Sequence, residues 1–110
     1  MDQRLPAHIE AAAIRRLAES QGGFATVLAR GENDAGTIAL VILCRGEPAT
    51  LYERMPQTGG NQIFVRTGQQ DSEKPHEFSA RIERMRQRDA DLWVIEADVV
   101  DWERFVAGLP

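Results

Sequence analysis

Two histidines, His8 and His76, and one cysteine, Cys44, are the residues best suited to metal binding or proton transfer in this chain. A metal site built from both histidines, completed by Glu10 or Glu77, would need two predicted helix starts to meet, and neither histidine lies in an H-E-x-x-H spacing. Both therefore read as helix-surface residues. Cys44 closes the most apolar run of the sequence, where a thiol behaves as a small hydrophobe, so it reads as core rather than nucleophile. Ser20, Ser72 and Ser79 fall at a helix end, a cap and a helix interior, and none sits in a G-x-S-x-G elbow. Gly22-Gly23 closes a helix and Gly59-Gly60 leads into a strand, the reverse of a phosphate-cradling loop, so these glycines read as turn residues supplying positive φ. No catalytic residue, cofactor or metal ligand is expected.

Three groups of polar or aromatic residues remain as contact candidates. Lys74, Glu77, Arg81, Arg84 and Arg88 recur at helical spacing on one stripe. Glu77 can pair with Arg81, while Arg84 and Arg88 lack an acidic partner in the stripe, so Arg81, Arg84 and Arg88 form a candidate partner- or anion-binding face. Trp102, with Phe105, suggests an apolar patch near the C-terminus that a second copy could cover. Tyr52, Glu53, Arg54 and Arg66 lie on two predicted neighbouring strands and could converge on a small ligand.

The elements that would position these groups follow from periodicity and turn chemistry. Residues 5–21 predict a helix, with Pro6 in the first turn and Leu5, Ile9, Ala13 and Leu17 recurring every fourth residue. Residues 24–30 and 37–44 predict strands, the second apolar at successive positions, as in a central strand covered on both faces. Residues 49–54 predict a third strand, with Leu51 and Glu53 on one side and Tyr52 on the other, and residues 62–66 a short fourth. A second helix follows, capped by Asp71 or Ser72, with Pro75 in its first turn and Phe78, Ile82 and Met85 as its buried stripe. Residues 92–97 predict a fifth strand, in which Trp93 and Ile95 face the core. A last short helix, capped by Asp98 or Asp101, carries Trp102, Phe105 and Val106 on one side before Gly108 stops it. The expectation is a single α+β domain over residues 1–110, of order α-β-β-β-β-α-β-α. Its four- or five-stranded, mostly antiparallel sheet carries two main helices, and the fourth-to-fifth strand connection is long enough for a crossover.

Residues 19–25 (Glu-Ser-Gln-Gly-Gly-Phe-Ala), 34–38 (Asp-Ala-Gly-Thr-Ile) and 88–96 (Arg-Asp-Ala-Asp-Leu-Trp-Val-Ile-Glu) resemble an uncharacterised family of proteobacterial proteins of about this length, a domain of unknown function. The resemblance implies a soluble single-domain bacterial protein, implies no activity and carries no site residues across; residues 56–73 fall outside it.

Composition narrows the partners. Thirteen Lys plus Arg against 17 Asp plus Glu leave a net charge of −4, which argues against non-specific nucleic-acid binding. The average still permits one basic face, because four arginines crowd between Arg81 and Arg88. The longest apolar run, residues 38–44, is far too short to span a membrane, no signal-peptide pattern opens the chain, and a lone cysteine suits a reducing cytoplasm. The expected function is a cytoplasmic, non-enzymatic module that binds another protein or itself, with a homodimer expected. The alternative is a small-ligand binder or small enzyme using Tyr52, Glu53, Arg54 and Arg66.

Overall fold

Six consecutive apolar residues from Ile38 to Leu43 leave no polar side to turn to water, so this segment can only sit inside a sheet. The computed structural model, which describes residues 5–59 and 62–110, places it there. Its elements in chain order are α1 (Ala7–Ser20), β1 (Phe24–Ala29), β2 (Ile38–Cys44), β3 (Thr50–Pro56), β4 (Gln62–Gln69), α2 (Pro75–Arg88), β5 (Trp93–Val99) and α3 (Trp102–Ala107). The strands form one sheet of order β1-β5-β2-β3-β4. β5 runs parallel to β2, and the other neighbours are antiparallel. The chain therefore crosses from edge strand β4 through α2 to insert β5 between β1 and β2. None of the described helices is long and apolar enough to cross a membrane.

The sheet divides the apolar residues of β2 between two cores. Ile38, Leu40 and Ile42 join Trp93, Ile95 and Tyr52 on the side covered by α1 and α3, where Phe105 is fully buried. Ala39 and Val41 join Leu51 and Val94 under Phe78 of α2, with Ile82 and Met85 half-buried beside them.

α1 presents a different row from the Leu5, Ile9, Ala13 and Leu17 row that its spacing predicts. Ala7, Ala11, Ile14 and Ala18 are buried together with Glu10, whereas Leu5 and Ile9 face outward. Small side chains let the helix lie close on β1 and β5, and its rotation is set by Glu10. That carboxylate is 1% exposed and accepts from Arg54, itself 7% exposed, at 2.9 Å from Nε and 2.5 Å from Nη2. The same guanidinium donates to the Gln62 carbonyl at 3.0 Å and stacks over the Phe64 ring at 4.3 Å, so it ties α1 to β3 and β4.

The turn between β1 and β2 closes the other end of α1. Pro6 provides no side-chain cap; the Ala7 and His8 amides instead donate to the carbonyls of Asp34 and Asn33 at 3.0 and 2.9 Å. Glu32 orders that turn: its amide donates to the Asp91 carbonyl, its carbonyl accepts Trp93 Nε1 at 2.8 Å, and its carboxylate accepts the Asp34 and Ala35 amides. Gly31 is required by closeness, because a Cβ there would strike the Asp91 carbonyl and the Trp93 ring. At the other end of α1, Gly22 adopts φ +85°. Gly59 also has positive φ; Gly60 lies outside the described residues.

Other local expectations are corrected. Neither Asp71 nor Ser72 caps α2: Lys74 holds the cap position without a side-chain bond, and Asp71 instead accepts the Glu73 amide in the preceding turn. Pro75 at the helix start has no N–H to satisfy, which lessens the need for a cap. Asp98 pairs with Phe24 inside the sheet, and Asp101 caps α3 by accepting the Arg104 amide at 3.2 Å. β4 continues beyond Arg66 to Gln69, because Gly68 and Gln69 keep pairing with Leu51 and Thr50 past a bulge.

Two outcomes follow for stability. Arg54→Ala or Glu10→Ala strands a buried charge and costs about 3–5 kcal/mol in urea unfolding, while the double variant Glu10→Leu/Arg54→Met recovers most of that loss. The Ala35 and Asp34 amides, in that order, hold the Glu32 carboxylate below its ordinary pKa. A carboxylate lowered by folding stabilises above its unfolded pKa and loses that contribution as pH falls through the folded value. The Ala35 amide resonance titrates with a midpoint below that of an unfolded glutamate and stays flat in Glu32→Gln; a midpoint at or above the ordinary value refutes the assignment.

Candidate functional site

Alternation along β3 splits the four residues that sequence places on one ligand site. Tyr52 and Arg54 point to the α1/α3 side, where Arg66 stands opposite Tyr52 and Phe64 opposite Arg54. Glu53 points to the α2 side, accepting from the Thr67 hydroxyl and lying 3.6 Å from Arg81 Nη2. Arg54 is committed to Glu10. Convergence of all four is therefore corrected: Tyr52 and Arg66 share a surface, and the other two serve packing on opposite faces.

The arginine stripe of α2 is likewise divided. Arg81 reaches across to Glu53 rather than back to Glu77, because Gly68 on β4 leaves room for its guanidinium. Arg84 and Arg88 are exposed, with no ion pair among the described residues, and Arg86 pairs with Glu83 at 3.2 Å. At the C-terminal end, Phe105 is buried and Trp102 half-buried against the core, so the exposed aromatic patch expected there does not form. Large exposed apolar residues instead include Phe24, Leu28 and Val100 at the β1 edge.

Trp102 contributes to something else. The parallel pairing of β2 and β5 brings their carboxyl ends, Cys44 and Val99, side by side, and α3 leaves β5 at that point. Trp102, Cys44, Tyr52 and Arg66 line a cavity of about 200 Å³ there, with Glu47 and Glu103 also on its wall. Crevices at the carboxyl ends of parallel strands are where open sheets commonly hold ligands. Tyr52 is 5% exposed, and its hydroxyl makes no hydrogen bond within the described residues. Arg66 is exposed and has no ion pair among them. Cys44 is half-buried, its Sγ 3.6 Å from the Val100 carbonyl, rather than wholly in the core.

Glu47, in the β2–β3 turn, and Glu103, on α3, carry no signal in the sequence. Glu47 stands beside Tyr52 through the β2–β3 hairpin, and Glu103 reaches it only through the insertion of β5 beside β2. His8 Nδ1 lies 2.9 Å from the Asn33 carbonyl, and His76 is exposed at the start of α2 on the opposite face of the sheet. Among the described residues no three of His, Cys, Asp and Glu are grouped to hold a metal ion.

A mixed five-stranded sheet with α1 and α3 on one face and α2 on the other defines an α+β protein with an open sheet. The chain belongs to DUF1491, a family of proteins of unknown function, whose model matches residues 5–107. A crystal structure of a DUF1491 family protein from Caulobacter crescentus is similar at 29% identity and a TM-score of 0.80, covering 93% of this chain and 94% of that one. An NMR structure of a DUF1491 family protein from the same organism gives 28% identity and a TM-score of 0.78, over 96% of this chain and 94% of that one. The solution structure of a protein from A. tumefaciens gives 27% and 0.74, over 94% of this chain and 93% of that one. None of the curated proteins matches. The proteobacterial family of unknown function seen in the sequence strings is thus the one to which the chain belongs.

The Tyr52 hydroxyl bonds to no described residue, so removing it takes no internal hydrogen bond from the fold. Tyr52→Phe keeps the ring and is expected to leave the urea midpoint unchanged or raise it; a loss of about 1 kcal/mol would reveal a bond from that hydroxyl within the protein.

Proposed function

We propose that the chain is a non-enzymatic, self-associating module of the bacterial cytoplasm, with edge strand β1 and the sheet face beside it as its contact surface. The observation that carries this reading is the exposure of Phe24, Leu28 and Val100, at 59%, 52% and 73%, beside a strand with only one hydrogen-bonded neighbour. α2 leaves this side of the sheet open, and a groove of about 340 Å³ between it and β1 is lined by Leu28, Leu43, Phe78 and Ile82. Phe24 shares its side with Asp98, its partner on β5, and Val100 follows two residues on. The bulge between Val27 and Ala29 leaves Leu28 outward.

A second copy fits such a surface. Two β1 edges meeting antiparallel set Phe24 of one copy near Leu28 of the other, so one apolar pair is made twice by symmetry. The net charge of −4 disfavours nucleic acid as the occupant. Arg84 and Arg88 lie away from this edge and remain free to contact a further, acidic protein.

Sedimentation equilibrium at micromolar concentration tests the reading. The expected species has about twice the chain mass of 12.3 kDa, and Phe24→Glu or Leu28→Lys returns it to monomer with its circular dichroism unchanged. A wild-type chain that stays monomeric throughout, or a dimer indifferent to both substitutions, overturns it.

A further inference from the structure

We infer that the cavity at the carboxyl ends of β2 and β5 is a binding site for a small zwitterion of free amino-acid size, a role separate from the β1 contact. Three observations select this ligand class. The first is the pair of unused donors on one surface: the Tyr52 hydroxyl, on a residue 5% exposed, and the Arg66 guanidinium, directly opposite it in the β3–β4 register. Buried side-chain hydroxyls ordinarily find a partner, and here the described residues supply none. A carboxylate seated between the two would take a charge-assisted bond from each.

The second observation is the sign of the remaining wall. Glu47 and Glu103 line the same cavity, and neither forms an ion pair with Arg66. One guanidinium against two carboxylates leaves the lining net negative, which repels a plain phosphate or dicarboxylate. The same wall attracts a molecule that brings an ammonium group together with its carboxylate. Opposite charges held in one cavity without touching match a ligand that carries both.

The third is size. A cavity of about 200 Å³ has room for a group of amino-acid size. Ile42 and the half-buried Trp102 offer apolar surface for its side chain. Small-ligand sites combine such surface with a few convergent polar groups.

Isothermal titration calorimetry of the full chain with each of the twenty protein amino acids and 4-aminobutyrate tests the inference, with isovalerate and isobutylamine as one-charge controls for valine. At least one zwitterion binds with a dissociation constant of about 1 mM or tighter, and it changes tryptophan emission in the wild type but not in Trp102→Phe. Arg66→Gln weakens it about tenfold or more, and Tyr52→Phe by a smaller factor. Arg66 is exposed and Tyr52→Phe is nearly isosteric, so both variants fold and report on binding. Absence of heat from every zwitterion overturns the proposal. So does equal binding of a one-charge control, or a bound amino acid indifferent to Arg66→Gln.

Discussion

A carboxylate and a guanidinium buried together must satisfy each other or cost the fold several kcal/mol, and the Glu10–Arg54 pair makes that demand on three elements at once. It fixes which side of α1 meets the sheet. It holds β3 and β4 in register through the Gln62 carbonyl and the Phe64 ring. With Arg54 committed there, Arg66 is the guanidinium left free on that surface of the outer strands. On α1, Glu10 lies on the same side as the buried row of Ala7, Ala11, Ile14 and Ala18, so the ion pair and the packing agree on one rotation.

Much of the architecture was legible because it depends on local pattern. The unbroken apolar run of β2 announces a strand covered on both faces, and alternation assigns Leu51 and Tyr52 to opposite cores. Element order and the α+β class follow from the same reading. The rotation of α1 was not legible, because the row of Leu5, Ile9, Ala13 and Leu17 competes with the row of Ala7, Ala11, Ile14 and Ala18 that lies on the sheet beside Glu10. The α2 cap failed for a related reason: Asp71 had a nearer amide to accept, in the turn before the helix.

The cavity was legible only in fragments. Tyr52 and Arg66 could be paired in advance because they lie on consecutive strands. Trp102 stands out in the sequence only as an aromatic residue beside Phe105, and Glu47 and Glu103 carry no mark at all. Trp102 and Glu103 join the others through the parallel pairing of β2 with β5, a contact between segments about fifty residues apart, whereas Glu47 stands beside Tyr52 through the β2–β3 hairpin. Glu53 shows the converse: adjacency in sequence put it on the other side of the sheet, where Thr67 and Arg81 engage it.

The turn that closes the start of α1 bears on how the chain reaches this structure. Helix initiation is costly, and a side-chain cap would let a segment offset that cost locally. Here the Ala7 and His8 amides wait for carbonyls from Asn33 and Asp34, whose turn is itself anchored on Asp91 and Trp93. The first turn of α1 is therefore coupled to the start of the last strand through backbone bonds. A growing chain lacks those anchors until residues 91–93 have been added, so the start of α1 depends on nearly the whole length of the sequence.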